Sequence, residues 1–263
     1  VLLGAQYGAN SFDFSLQDWA LREKGYMIRR DSFGSPVWLT GDDKRQLLAH
    51  WPAVPVFAEN CYHSFAARPQ WYRGDGFPNV RDMMARVIED AKELHANTLD
   101  LRIPEDAEQW MRFAPDLVED FALNGGYRLV PVRIAYAGRM AIGHPYPIEH
   151  GWKNTGVGKI PNNMKNWSRK YKVAFALLDP ANGRPVYRYV DREAEPSDWI
   201  KGAEYAYRSS ITVSGVPEGS YRIAVAIVNT ATGDEPAIRL AVRPDAIRNG
   251  WVELGTVEVA TAP

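Results

Sequence analysis

Among the 263 residues there is one cysteine, Cys61. That excludes an internal disulfide framework and any multi-cysteine zinc site. Long apolar runs are missing too. No stretch of about 18 apolar residues occurs, so no membrane-crossing helix is expected. Neither sign of charge prevails: 31 basic and 32 acidic residues give a formal net charge of -1. The basic excess of a nucleic-acid binder is therefore absent. His144 and His150 stand apart in a proline-containing stretch, with no His-x-x-x-His pair, no His/Cys cluster and no glycine-rich phosphate loop. Neither a metal nor a cofactor is expected. Val1-Leu2-Leu3-Gly4 carries no initiator methionine, charged leader or cleavage site and begins like a strand, so a piece of a longer polypeptide is expected.

What is present describes a folded protein rich in rings. Hydrophobic residues make up 46% and charged residues 24%, a globular balance that argues against disorder. Nine tryptophans and thirteen tyrosines supply rings that stack on sugars or fill cores, and alone decide neither.

The first 125 residues alternate strand-like runs with helical patterns. Val1–Gly8, Tyr26–Asp31, Val54–Glu59 and Asn97–Ile103 read as strands. Leu16–Lys24, Asp42–Trp51, Glu105–Phe113 and Pro115–Leu123 read as helices. The strongest helix follows Asn79, a favourable N-cap, with Val80, Met83, Met84, Val87, Ile88, Ala91 and Leu94 on one face. Such alternation implies a parallel sheet with right-handed crossovers. After Gly126 helical periodicity gives way to short strands separated by turn signals such as Asn182-Gly183 and Pro217-Glu218-Gly219, the pattern of an antiparallel sandwich. Tyr171–Asp179 echoes Tyr221–Asn229, as two similar core strands would. The expected fold class is α/β plus all-β: residues 1–125 as the C-terminal half of a (β/α)8 TIM-type barrel, and residues 126–263 as an antiparallel β-sandwich.

Strand parity sorts the polar residues. With the apolar residues Ile28, Val56, Ala58, Leu99 and Leu101 facing a helical layer, Arg29, Asp31, Glu59, Asp100 and Arg102 gather inside, near the carboxyl ends of the strands. Paired charges closing a barrel explain Arg29, Asp31, Asp100 and Arg102 as well as a site does. Glu59 stands out, because the loop after it carries Tyr62, His63, Trp71 and Tyr72 as a prospective pocket wall. Trp38 is a further candidate ring. Cys61 and His63 share a side, but no third group orients them as a nucleophile–base pair.

Asn124-Gly-Gly-Tyr-Arg-Leu, Gly151-Trp-Lys-Asn-Thr-Gly-Val, Pro217-Glu-Gly-Ser-Tyr-Arg-Ile and Gly250-Trp-Val-Glu-Leu-Gly resemble a bacterial C-terminal β-sandwich catalogued as a domain of unknown function. That sandwich usually follows a glycoside-hydrolase-like barrel. Arg29-Arg30-Asp31-Ser32-Phe33-Gly34 and Val56-Phe57-Ala58-Glu59 look like strands six and seven of such barrels. The resemblance implies that Glu59 occupies the strand-seven nucleophile position, with the acid/base upstream of Val1.

The expected function is then part of a carbohydrate-active, glycoside-hydrolase-like protein using a retaining two-carboxylate mechanism. Glu59 and Asp31 are the catalytic candidates. Arg29, Asp100, Arg102, Trp38, Tyr62, His63, Trp71 and Tyr72 are the substrate-binding ones. The partners expected are carbohydrate and the missing N-terminal half of the barrel, from an upstream segment or another chain, at the cell surface or in secreted form. The alternative is a non-catalytic carbohydrate-binding or surface-assembly protein. The sandwich is expected to act as a brace.

Overall fold

A computed structural model describes residues 4–6, 19–165 and 169–262. Parts of the expected first strand and of the Leu16–Lys24 helix lie outside the described residues. The chain divides into two units: Val1–Tyr127 with Thr155–Ser168, and Arg128–Asn154 with Arg169–Pro263.

In the first unit four strands form one parallel sheet in chain order: β1 (Gly4–Gln6), β2 (Met27–Phe33), β3 (Val56–Asn60) and β4 (Ala96–Asp100). Beyond the helical residues 19–22, its helices among the described residues are α1 (Gly41–Ala49), α2 (Pro69–Gly74), α3 (Val80–Glu93), α4 (Pro104–Phe113) and α5 (Pro115–Asn124). Asn79 caps α3 by accepting from Asp82 N, and Met83, Met84, Val87, Ile88 and Ala91 are buried along one stripe. Ile28, Val56, Ala58 and Ala96 of the sheet share that core, together with Phe33, Phe65 and Trp110. Each large side chain so buried contributes about 1.5–3 kcal/mol. Asp90, buried on α3, accepts from Gly34 N and pairs with Lys44 and Arg86, fastening α1 and the end of β2 to that helix.

The expected barrel is overturned. Among the described residues the four parallel strands form an open sheet, and most of the strands belong to two further sheets of three and seven members. Alternating strands and helices dictate a parallel sheet; they do not dictate its closure, which depends on strand number, tilt and stagger.

The β4 edge of the sheet is covered from within the unit. Gly126 N donates to Ala96 O. The Asn97 side chain, acting like a strand backbone, donates from Nδ2 to Lys159 O at 2.6 Å and accepts from Lys159 N at 3.0 Å. Val157 N donates to Asn124 O, Gly158 N to Gly126 O, and His95 Nδ1 bonds Val157 O at 2.9 Å. Pairing of this kind satisfies groups that an open edge would leave exposed.

The second unit is a β-sandwich in character. Strands β5 (Leu129–Ala135), β7 (Pro145–Asn154) and β10 (Glu204–Thr212) form an antiparallel sheet in the order β10-β7-β5. The second sheet runs β13-β14-β11-β8-β9, from Ile247–Arg248, Trp251–Ala260, Gly219–Asn229, Tyr171–Leu178 and Pro185–Val190. It is extended by β12 (Glu235–Ile238) on β11 and by β6 (Arg139–Ala141) on β14, the one parallel pairing in it. The two echoing segments are adjacent partners, with Val225 opposite Phe175 and Ala226 opposite Ala174. Both faces of these two strands are buried, so each reads as a continuous apolar run. Tyr221 donates from its hydroxyl to Pro217 O at 2.9 Å, a tie across the start of a strand like the tyrosine corner of sandwiches.

A buried polar chain joins the two sheets. Trp152 Nε1 donates to His150 Nδ1 at 2.7 Å, and His150 Nε2 lies 2.8 Å from Asp191 Oδ2, which also accepts from Ser209 Oγ. Indole N–H is a donor only, so His150 Nδ1 carries no proton and Nε2–H donates to the carboxylate. The imidazole meets Phe175 edge-on, with ring centroids 5.2 Å apart.

Candidate functional site

The site is built at the carboxyl ends of β2 and β3, where backbone irregularities redirect side chains. Between Arg30 and Phe33 the β2–β3 register slips, and Ser32 takes a positive φ of 71°. Strand alternation fails there. Arg30, fully buried, donates to Asp31 Oδ1 at 2.7 Å and to Trp38 O, and lies 3.5 Å from Asp43. Asp31 also accepts from Ser32 Oγ. Ser35 Oγ accepts from Trp38 N and donates to Asp75 Oδ2 at 2.5 Å, and Tyr62 OH donates to the same oxygen at 2.7 Å.

These bonds shape a pocket of about 370 Å³ lined by Trp38, Cys61, Tyr62, Trp71 and Asp75. Pockets of roughly 300–1,000 Å³ hold small ligands. Trp38 and Trp71 remain 53% and 41% exposed, unusually open for rings of that size. His63 meets Trp71 edge-on with centroids 5.0 Å apart, and the Arg68 guanidinium lies 4.6 Å from the same ring. Burial, reinforced by Arg102 and Arg68, holds the His63 imidazole below its usual range. Tyr72 contributes no wall; its ring is part of the core.

Three residues from three strands or strand ends meet separately. Arg29 pairs with Glu59 Oε2, and Arg102 pairs with Glu59 Oε1 at 2.9 Å. Arg102 also donates to Asn60 O, and its backbone N–H is held by Asp100 Oδ1. Glu59 is buried, and both its oxygens are engaged by guanidinium groups. Asp31 is drawn instead into the Arg30 and Ser32 network. With the barrel gone, the strand-seven position ascribed to Glu59 has no counterpart.

Cys61 lines the wall of the pocket. Burial pushes its thiol up to about 11; a hydrogen bond with Ser35 works against the rise, and the charges of Asp75 and Asp31 add to it. The Tyr62 hydroxyl is raised as well, by burial and by its bond to Asp75. Among the described residues no group of three or more His, Cys, Asp or Glu is placed to hold a metal ion, and no helix is long and apolar enough to cross a membrane. Asp75 and Ser35, which organise the pocket, escaped sequence reasoning. The signal available was a carboxylate in the aromatic loop that already supplied Trp71 and Tyr72.

No protein-family model and no curated protein matches the chain. Among solved structures, 52% of the chain is similar to 96% of the CARDB domain of the PF1109 protein from Pyrococcus furiosus, at 15% identity and a TM-score of 0.29. A Niemann-Pick type C2 protein from Japanese carpenter ant is similar over 51% of the chain and 93% of its own length, at 10% identity and 0.30. A mutant β-glucosidase from Listeria innocua is similar over 84% of the chain and 38% of its own, at 10% identity and 0.26. Likeness this distant transfers no function. The resemblance of the sequence to a glycoside-hydrolase-like barrel with a catalogued C-terminal sandwich is not upheld: no family model matches, and among the described residues the parallel strands form an open sheet.

Proposed function

We propose that the first unit binds carbohydrate in the pocket walled by Trp38 and Trp71 and does not hydrolyse it. The observation that carries this reading is the pair of exposed indoles around an open pocket beside the Asp75 carboxylate. Indole faces take the C–H surfaces of a sugar ring, and a carboxylate oxygen accepts from its hydroxyls. Retaining hydrolysis needs two carboxyl groups about 5–5.5 Å apart, one of them protonated. Glu59 is instead bracketed by two arginines, and Asp31 is committed to Arg30.

The test is isothermal titration of the full chain with β-1,4-linked tetrasaccharides, alongside Trp38→Ala and Trp71→Ala, with release of reducing ends followed on the same sugars. Each substitution is expected to weaken binding by roughly tenfold, about 1.4 kcal/mol. No reducing ends are expected. Binding untouched by both substitutions, or release of reducing ends that disappears in Glu59→Gln, would sink the proposal.

A further inference from the structure

We infer that this pocket selects a sugar bearing a protonated amine, with the second oxygen of Asp75 as its counter-ion. The inference rests on the carbohydrate reading above and narrows it to a substrate class.

Asp75 Oδ2 is used twice, by Ser35 Oγ and Tyr62 OH, and both donors are neutral. Among the described residues no lysine, arginine or histidine pairs with Asp75, and Oδ1 has no hydrogen-bond donor. Other carboxylates nearby are compensated: Asp31 by Arg30, Glu59 by Arg29 and Arg102, Asp90 by Lys44 and Arg86. Asp75 therefore presents an uncompensated negative charge to a pocket whose other walls are mainly aromatic.

The neighbouring groups register that field. Beyond the effect of burial, Asp75 and Asp31 both push the Cys61 thiol upward, and Asp75 does the same to Tyr62. Arg68, which lies over Trp71, acts on His63. Indole faces add to the preference, because their negative quadrupole attracts a cation. A hydroxyl at this place gains one hydrogen bond. An ammonium gains the bond and the charge, in a setting less screened than bulk water.

The experiment compares three β-1,4-linked tetrasaccharides by calorimetry on the full chain: the glucosamine tetramer, the N-acetylglucosamine tetramer and cellotetraose. The glucosamine tetramer is expected to bind about tenfold tighter than either neutral sugar, and added salt should erode that advantage. Asp75→Asn should bring it down to the neutral sugars and weaken cellotetraose far less than the glucosamine tetramer, because the amide oxygen still accepts from a hydroxyl. If the substitution unfolds the unit, the three-sugar comparison and its salt dependence still decide on the wild-type protein. Equal affinities for all three overturn the charge selection and leave the carbohydrate reading standing. No binding by any of them overturns both.

Discussion

Gly156→Ala probes the strap that covers the β4 edge. A Cβ at this position lands 2.3 Å from Gly126 O and 2.9 Å from Gly125 O. Both obstacles are backbone atoms, so no side-chain rotation relieves them. Moving the strap outward strains or breaks the Gly158 N to Gly126 O bond and the Val157 N to Asn124 O bond. Overpacking contributes about 1–3 kcal/mol of loss, and each weakened hydrogen bond about 0.5–1.5 kcal/mol. Partial relaxation leaves an expected loss of about 3 kcal/mol, which lowers the midpoint for the first unit by roughly 6–12 °C. Thermal unfolding followed by circular dichroism reads the global effect, and hydrogen exchange at the Val157 and Gly158 amides reads the local one. Gly74→Ala serves as control, because nothing lies within 4 Å of its Cβ and it sits at the end of α2. It should be neutral or slightly stabilising. Unchanged midpoint and unchanged amide protection in Gly156→Ala would refute the close packing of the strap.

Other predictions follow from the buried charges and the thiol. Asp90→Ala leaves Gly34 N without its acceptor and Lys44 with Glu93 as its remaining partner; urea titration should show a loss of about 1–3 kcal/mol, and a loss under about 0.5 kcal/mol would contradict the role given to Asp90. In the second unit burial raises Asp191, but bonds from His150, Glu193 N and Ser209 outweigh it and leave the carboxyl below its ordinary value. A depressed folded-state value adds stability above the unfolded value, and that stability is lost as pH falls through the folded one. Acid titration of the fold should therefore show a destabilisation below about pH 4 that is smaller in Asp191→Asn, and identical acid profiles would exclude it. Cys61, with its thiol near 11, should alkylate with iodoacetamide far more slowly at pH 8 than a free thiol does; a rate matching glutathione would count against the burial and charge argument.

Periodicity made the local elements legible. The stripe from Met83 to Ala91 and the cap at Asn79 fixed α3, because a helix buries every third or fourth residue wherever its partner lies. The apolar runs at Tyr171 and Tyr221 fixed two central strands for a similar reason. Parity on β3 and the end of β4 brought Glu59 and Arg102 together, and with Arg29 they do form ion pairs. At the end of β2 the register slip and the left-handed Ser32 break the alternation that parity depends on.

What the sequence determined by itself is local: which segments are helix or strand, and where the chain changes from mixed to antiparallel structure. These follow from interactions between residues a few positions apart. Tertiary structure alone decided that the parallel sheet of the described residues is open, since closure is a property of the whole sheet. It also decided that Asn97 meets Lys159, more than sixty residues on, and that Ser35, Tyr62 and Asp75 share one hydrogen-bonded corner between two tryptophans. Contacts of that range leave no period in the sequence, because each partner satisfies its own local rules wherever the other stands.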